Sequence, residues 1–247
     1  MHILTQNSAA DHPEVIHGVK CIMSRRLVHI CRLEKILSSC KIKMKLHPFT
    51  YVILFFALTS GSAFAEIDDV TLIEKLRQGG YVIIVRHAIT NHNEQDTGPD
   101  NCVTQRNLNS AGRKQAETIG KAIKLLNIPV GEIYSSSYCR CIETAELAFG
   151  EPETLLELSS FMREDASEKT RRVDAIRRLL GDSPKPDTNT FLVSHLRLLH
   201  RASNIKLSEG EAAMFLPEGN SQFQHIANIS AERWKKMLTS ITENLPL

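Results

Sequence analysis

The sequence predicts a three-layer α/β/α sandwich with a mostly parallel central sheet. Short apolar runs at 81–85 and 190–194 have the length and composition of buried strands. Stretches with helical periodicity lie between and after these runs, and glycine and proline separate many of them. Strands and helices that alternate in this way are typical of a sheet covered by helices on both faces.

Capping residues and helix breakers set the bounds of the predicted helices. The first, at 70–78, ends at Gly79-Gly80, and Asn109 or Ser110 can cap the second, which runs to about Leu126. Three consecutive serines at 135–137 offer N-caps for a third helix. The remaining predicted helices cover 165–180, 196–202 and the segment around Trp234.

The predicted strands cover 81–85, 131–134, 190–194, 211–216 and 223–229. The last two are joined by a turn at 217–220, and segment 154–161 is ambiguous and partly extended. Residues 90–108 form a long polar loop, and long loops in compact domains are often functional. Gln105 and Arg106, near its end, are candidates for substrate contact or for closing the loop.

Residues 44–65 have the organisation of a secretory signal peptide. Three lysines at 41–45 precede a short apolar segment at 49–58, and Ala63-Phe64-Ala65 is a small-x-small cleavage motif. The apolar segment is short for a membrane span, although an uncleaved anchor is the alternative.

A signal peptide should begin its chain, so we expect translation to start at Met44. Residues 1–43 are then a non-native extension from a mis-assigned start. Cleavage after Ala65 leaves 66–247 as a single domain, which we expect to be periplasmic or secreted.

Charge and cysteine content exclude several classes of function. Residues 1–65 carry eight Lys and Arg against three Asp and Glu, so the net charge is +2 for the chain and −3 for 66–247. Without a basic stripe we expect no nucleic-acid partner, and no further apolar stretch predicts a membrane span. In an oxidising compartment Cys102 can pair with Cys139 or Cys141, which leaves one thiol free.

Basic side chains follow three predicted strands at the point where each strand ends. Arg86 and His87 follow the first, Arg140 comes shortly after the second, and His195 ends a later one. A shared sheet would bring these exits to one edge, where open α/β folds bind ligands. Arginine forks match phosphate oxygens, and a histidine can attack phosphorus, so the set suggests a phosphate pocket. The chain has no P-loop and no acidic cluster for Mg²⁺.

The motifs around these residues resemble those of the histidine phosphatase superfamily, branch 1, which has the phosphoglycerate-mutase-like fold. Arg86-His87-Ala88 matches its Arg-His-Gly motif, and Val193-Ser194-His195 matches its late Val-Ser-His motif. The segments 108–116 and 135–145 match its Leu-Thr-x-x-Gly-x-x-Gln-Ala and Ser-Ser-Pro-x-x-Arg-x-x-x-Thr-Ala patterns. Together these motifs span roughly 80–230.

This sequence departs from the family pattern at three positions. Ala88 and Leu196 stand where the family usually has glycine, and Ser137 stands where it has proline. We expect Leu196 to tighten or reshape the pocket.

The resemblance implies that His87 is the nucleophile and that Arg86, Arg140 and His195 bind the phosphoryl group. Nearby arginines should lower the pKa of His87 and so favour its unprotonated, nucleophilic form. Thr90 and Asn93 fall at positions that the family often uses for phosphate contacts. No metal and no cofactor are implied.

The resemblance leaves the general acid open, because many relatives have a Glu or Asp between the second arginine and the late histidine, whereas some small relatives lack an acid there. The candidates are Glu157, Glu164 and Asp165, of which Glu164 is favoured. The alternative is that these acids only stabilise the start of a helix.

The sequence therefore predicts an exported, metal-independent phosphatase acting through a phosphohistidine on His87. Its substrate would be a small phosphorylated molecule, and a cell-envelope sugar phosphate is one candidate. The alternatives are a protein phosphohistidine phosphatase and a catalytically inactive homologue that binds phosphorylated ligands. The sequence does not indicate an oligomeric state.

Overall fold

The computed structural model describes residues 67–94, 96, 98–160 and 164–242 of the 247-residue chain. The predicted extension at 1–43, the signal peptide at 44–65 and the cleavage after Ala65 lie outside the described residues. They stay predictions, as does the predicted export.

Six helices and six strands are formed by the described residues. The helices are α1 (Asp69–Gln78), α2 (Ser110–Leu125), α3 (Cys139–Ala148), α4 (Ala166–Gly181), α5 (Leu196–Ser203) and α6 (Ala231–Thr242). The strands are β1 (Val82–Arg86), β2 (Val130–Ser135), β3 (Glu153–Thr154), β4 (Asn189–Ser194), β5 (Ala212–Gly219) and β6 (Gln222–Ile229). Single 3₁₀ turns lie at Cys102–Thr104 and Leu156–Leu158.

The strands form one mixed sheet in the order β3-β2-β4-β1-β5-β6. β3, β2, β4 and β1 are parallel, whereas β5 pairs antiparallel with both β1 and β6. The expected mostly parallel sheet is thus confirmed for four strands only. β5 and β6 form a hairpin whose turn lies at Asn220 and Ser221, later than predicted, and both residues have positive φ.

Helices cover both faces of the sheet, as expected for three layers. Alternate residues of β1 point to opposite faces, so Ile83 and Val85 belong to one apolar cluster and Val82 and Ile84 to another. The first cluster includes side chains of α1, α2 and α6, and the second includes side chains of α4 and α5.

Helix α2 approaches the end of β1 closely because Gly112 has no side chain. A Cβ atom at Gly112 would lie 2.0 Å from the carbonyl oxygen of Ile89. Asn109 caps the helix, as its side-chain oxygen accepts a hydrogen bond from the Gly112 amide at 2.8 Å. The first turn of α2 is therefore packed directly against the segment that follows His87.

Helix α3 begins differently from the prediction, with Tyr138 rather than a serine at its N-cap. Ser136 Oγ accepts a hydrogen bond from the Tyr138 amide at 3.2 Å, and Ser137 Oγ lies 2.9 Å from Ser159 Oγ. Ser136 and Ser137 therefore form side-chain contacts near the end of β4, and neither residue is the N-cap of the helix.

Among the described residues, no helix has the length and apolar character needed to cross a membrane.

Candidate active site

Three neighbouring parallel strands deliver the predicted site residues to one edge of the sheet. β2, β4 and β1 are adjacent, and Arg86 pairs in register with Ser194. The rings of His87 and His195 have centroids 5.5 Å apart, and Arg140 Nη2 lies 3.4 Å from His195 Nδ1. The structure therefore brings together two histidines and two arginines from separate parts of the chain.

His87 is buried, and its hydrogen bond defines its tautomer. Its Nδ1 lies 2.9 Å from the Ala88 carbonyl oxygen, which can only accept, so Nδ1 carries the proton. Burial, followed by the charges of Arg140, Arg86 and Arg106, lowers the pKa of His87 to about 3, although the bond to Ala88 opposes the shift. Its Nε2 is thus unprotonated and nucleophilic at neutral pH.

His195 has the opposite tautomer. The Arg140 guanidinium can only donate, so Nδ1 of His195 accepts and Nε2 carries the proton. Nε2 lies 2.9 Å from Ser136 Oγ, which in turn donates to Ser159 Oγ at 3.2 Å. Burial and the charge of Arg140 hold the pKa of His195 well below its ordinary value, so the ring is neutral.

Arg140 is the most heavily engaged cation of the site. It is 3% exposed, and its Nη1 lies 2.9 Å from Asp96 Oδ2 and donates to the Arg106 carbonyl oxygen at 3.3 Å. The guanidinium carbon lies 4.4 Å from the centroid of the Tyr138 ring, within the range of a cation–π contact. The carboxylate of Asp96 thus contacts the arginine that the sequence assigns to phosphate.

Glu209 contacts the end of β1 and the segment that follows it. Its carboxylate accepts a hydrogen bond from Thr90 Oγ1 at 2.9 Å and lies 3.5 Å from Arg86 Nη2, 4.0 Å from His87 Nδ1 and 3.2 Å from His92 Nε2. Glu209 therefore connects Arg86 with Thr90 and His92 and lies on the Nδ1 side of His87.

Thr90 and Asn93, the two further predicted phosphate contacts, differ in their surroundings. The Thr90 hydroxyl is buried and donates to Glu209. Asn93 is exposed in the polar loop. Their role in phosphate binding stays a prediction.

A disulfide joins the polar loop to helix α3. Cys102 and Cys139 are bonded, with Cα atoms 5.7 Å apart, which resolves the choice that the sequence left open. Cys141 is the free thiol among the described cysteines, and burial raises its pKa to about 12. A thiol with this pKa is not a nucleophile at neutral pH.

Glu164, the favoured general acid, lines a cavity of about 400 Å³ that includes Tyr138, whose ring centroid lies 5.0 Å from that of His195. Its carboxylate lies 3.0 Å from Arg172 Nη2, and Asp96 and Tyr138 line the same cavity. The other two candidates are engaged elsewhere: Glu157 pairs with Arg171, and Asp165 caps α4. The assignment of Glu164 stays a prediction.

The sequence prediction missed Glu209, Asp96 and Ser136 as parts of this site. Glu209 lies in a polar segment, 208–211, that has the composition of an ordinary turn, and it is 119 residues from Thr90 in the chain. Asp96 lies in the long polar loop whose functional character the sequence did indicate. No group of three or more His, Cys, Asp or Glu in the described part of the chain is arranged to hold a metal ion.

Comparison with known families agrees with this arrangement of residues. Residues 82–169 match a family model described as the histidine phosphatase superfamily, branch 1. The match supports membership of that superfamily. It also supports a phosphatase enzyme, and it includes Arg86, His87, Arg140 and Glu164.

Solved structures of phosphatases show low similarity to the chain. A phosphoserine phosphatase from Entamoeba histolytica is 16% identical, with a TM-score of 0.46, and the match covers 62% of this chain and 98% of that one. The protein histidine phosphatase SixA complexed with tungstate is 15% identical, with a TM-score of 0.45, and the match covers 61% of this chain and 97% of that one. The alpha-ribazole phosphatase from Shigella flexneri is 16% identical, with a TM-score of 0.44, and the match covers 61% of this chain and 96% of that one. These scores assign no substrate to this chain, and no curated protein sequence matches it.

Proposed function

We propose that this protein is a metal-independent phosphatase that hydrolyses a phosphomonoester through a phosphohistidine on His87. The observation that carries the proposal is the state of His87, which is buried and neutral with its proton on Nδ1. Arg86, Arg140 and His195 surround it. The two arginines offer donors to phosphoryl oxygens, and His195 offers one once its Nδ1 is protonated.

In the first step, the lone pair of His87 Nε2 attacks phosphorus and the bond from phosphorus to the ester oxygen breaks. The leaving oxygen takes a proton from a carboxylic acid, for which Glu164 is the proposed donor. Arg86 and Arg140 stabilise the charge that spreads over the equatorial oxygens.

In the second step, a water molecule attacks phosphorus and the bond from phosphorus to Nε2 breaks. The carboxylate formed in the first step takes a proton from this water, and inorganic phosphate leaves. His87 returns to its neutral state because the Ala88 carbonyl holds the proton on Nδ1 throughout.

We propose a small phosphorylated alcohol as the substrate. The cavity lined by Glu164 and Tyr138 has a volume within the range of small-molecule sites, and polar side chains such as Ser159, Ser160 and Asp100 also line it. This supports a hydroxylated leaving group, such as the sugar of a cell-envelope phosphate, over a protein phosphohistidine. Export to the periplasm or medium belongs to the same proposal.

The function is tested by assaying p-nitrophenyl phosphate in the presence of EDTA, with His87→Ala beside the wild type. We expect turnover by the wild type in EDTA and a loss of at least about a thousandfold in His87→Ala, which lacks the nucleophile. His225→Ala is the matched control, because His225 is exposed on β6 and bonds to Asn228.

Three outcomes would contradict the proposal. Absence of turnover by the folded wild type on a panel of phosphomonoesters favours an inactive ligand-binding homologue. Loss of activity in EDTA rules out the metal-independent mechanism. Full activity of His87→Ala would show that His87 is not the nucleophile.

A further inference from the structure

A third arginine, Arg106, lies beside the two arginines that the motifs identify. Its carbonyl oxygen accepts a hydrogen bond from Arg140 Nη1 at 3.3 Å. Its Nε is buried, and no hydrogen-bond partner for it exists among the described residues. The Nε atoms of Arg86 and Arg140 are buried and unpartnered in the same way. Three guanidinium groups at one site therefore retain unused donors.

The charge of Arg106 reaches the reacting groups. It contributes to lowering the pKa of both His87 and His195, and also that of Arg86. Buried cations that repel one another are costly unless an anion compensates them. An oxyanion with several acceptor oxygens would satisfy the free donors and offset this repulsion.

The segment that carries Arg106 is fixed to the helix that carries Arg140. We refer to residues 98–107 as the tethered loop. Within it, Gln105 is 3% exposed; its Oε1 accepts from the Cys139 amide at 2.9 Å and its Nε2 donates to the Pro99 carbonyl at 3.0 Å. The Cys102–Cys139 disulfide adds a covalent link at the same place. The disulfide and the Gln105 Oε1 contact both end at Cys139, which is next to Arg140 in the chain, and Gln105 directly precedes Arg106.

We propose that Arg106 is a third oxyanion-binding residue of the site, held there by the disulfide and Gln105. Its ligand is the phosphoryl group, so the inference rests on the proposed function for its substrate class. The tethered loop then acts as one wall of the phosphate site. Reducing the disulfide frees this wall and weakens phosphate binding.

The binding role is tested with Arg106→Met and Arg106→Lys, using calorimetric binding of inorganic phosphate and kinetics on p-nitrophenyl phosphate. Loss of charge-assisted hydrogen bonds should weaken phosphate binding by roughly ten- to a hundredfold in Arg106→Met. Lysine keeps the charge but not the fork, so Arg106→Lys should recover part of the affinity. Wild-type phosphate affinity in a folded Arg106→Met protein would overturn the proposal.

Arg113→Met is the matched control. Arg113 is exposed, pairs with Glu143 at 2.5 Å and lines a surface cavity with Cys102 and Cys139. It therefore lies near the same disulfide without belonging to the phosphate site. We expect this variant to bind phosphate like the wild type, and an equal loss in both methionine variants would contradict a specific role for Arg106.

The tether is tested by Cys102→Ser/Cys139→Ser and by Gln105→Leu, each made both in the wild-type protein and in the Arg106→Met variant. Gln105→Leu keeps the disulfide, so it remains informative if the serine variant does not fold. Each tether change should weaken phosphate binding when Arg106 is present and add little in the Arg106→Met background. Equal losses in the two backgrounds would show that the tether does not act through Arg106.

Phosphate binding and turnover separate this inference from the proposed function. Arg106-dependent binding without turnover would refute the phosphatase and support the oxyanion site. Turnover that depends on His87 but not on Arg106 would support the phosphatase and refute this inference.

Discussion

His87 and His195 lie at the ends of neighbouring strands, yet their hydrogen bonds fix opposite tautomers. The Ala88 carbonyl holds the proton of His87 on Nδ1, whereas the Arg140 guanidinium leaves Nδ1 of His195 as an acceptor. His87 is thereby prepared to attack through Nε2. His195 is held by Ser136, and its Nδ1 must gain a proton before it can donate to a phosphoryl oxygen.

The lowered pKa of His87 predicts an unusual pH profile. Its pKa of about 3 means that the ring stays unprotonated, and so nucleophilic, as the pH falls through 6.5. After correction for ionisation of the substrate, kcat/KM should show no acid limb near pH 6.5, because kcat/KM reports the free enzyme. An acid limb near 6.5 that His225→Ala retains would show that His87 titrates as an ordinary histidine.

Glu164 should matter most for poor leaving groups. Glu164→Gln cannot protonate the leaving oxygen, so its kcat should fall by roughly ten- to a hundredfold more on glycerol 2-phosphate than on p-nitrophenyl phosphate. Glu157→Gln is the matched control, because Glu157 also pairs with an arginine of α4 but does not line the cavity.

Asp96 lines the same cavity as Glu164, and the Asp96→Asn variant supplies the outcome that would contradict the assignment of Glu164. If Asp96→Asn shows the dependence on the leaving group and Glu164→Gln does not, the assignment of Glu164 as the acid is wrong.

At the scale of elements, close packing between α2 and the segment after β1 holds the nucleophile in place. Ala88 donates its amide to Thr144 Oγ1 at 3.0 Å, and Thr144 donates to the Arg140 carbonyl at 2.6 Å. Gly112 lets the start of α2 approach Ile89 next to this link. Two hydrogen bonds through Thr144 thus link the segment after β1 to α3.

Gly112→Ala is expected to destabilise the protein, because the new Cβ would lie 2.0 Å from the Ile89 carbonyl oxygen. We expect the free energy of unfolding, measured in urea, to fall by about 1–3 kcal/mol. Lys114→Ala, an exposed change on the same helix, should alter it by about 0.5 kcal/mol or less. Equal stability of Gly112→Ala and the wild type would contradict the packing described for α2.

The elements also show why part of the site could be predicted. β1 is apolar from Val82 to Val85 and β4 from Phe191 to Val193, so the ends of these runs, and with them His87 and His195, can be predicted from composition. Glu209 could not be found in this way, because its partners come from a segment more than a hundred residues earlier in the chain. The three serines before α3 were assigned to capping because local propensity does not reveal their contacts with β4 and Ser159.

At the scale of the whole molecule, the sheet is mixed because β5 runs antiparallel to both of its neighbours, β1 and β6. The alternation of strand and helix predicts the parallel strands correctly but does not fix the direction of β5, which pairs antiparallel with β1.

The site differs in charge from the domain that contains it. Residues 66–247 have a net charge of −3, yet the site concentrates three arginines.

The central claim is that hydrolysis proceeds by two successive displacements at phosphorus, the first by His87. The most direct test is the stereochemical course of hydrolysis of an isotopically chiral phosphomonoester by the wild-type protein. Each in-line displacement inverts phosphorus, so the account predicts net retention of configuration. Net inversion would mean that water attacks the substrate directly, and it would contradict a phosphohistidine on His87.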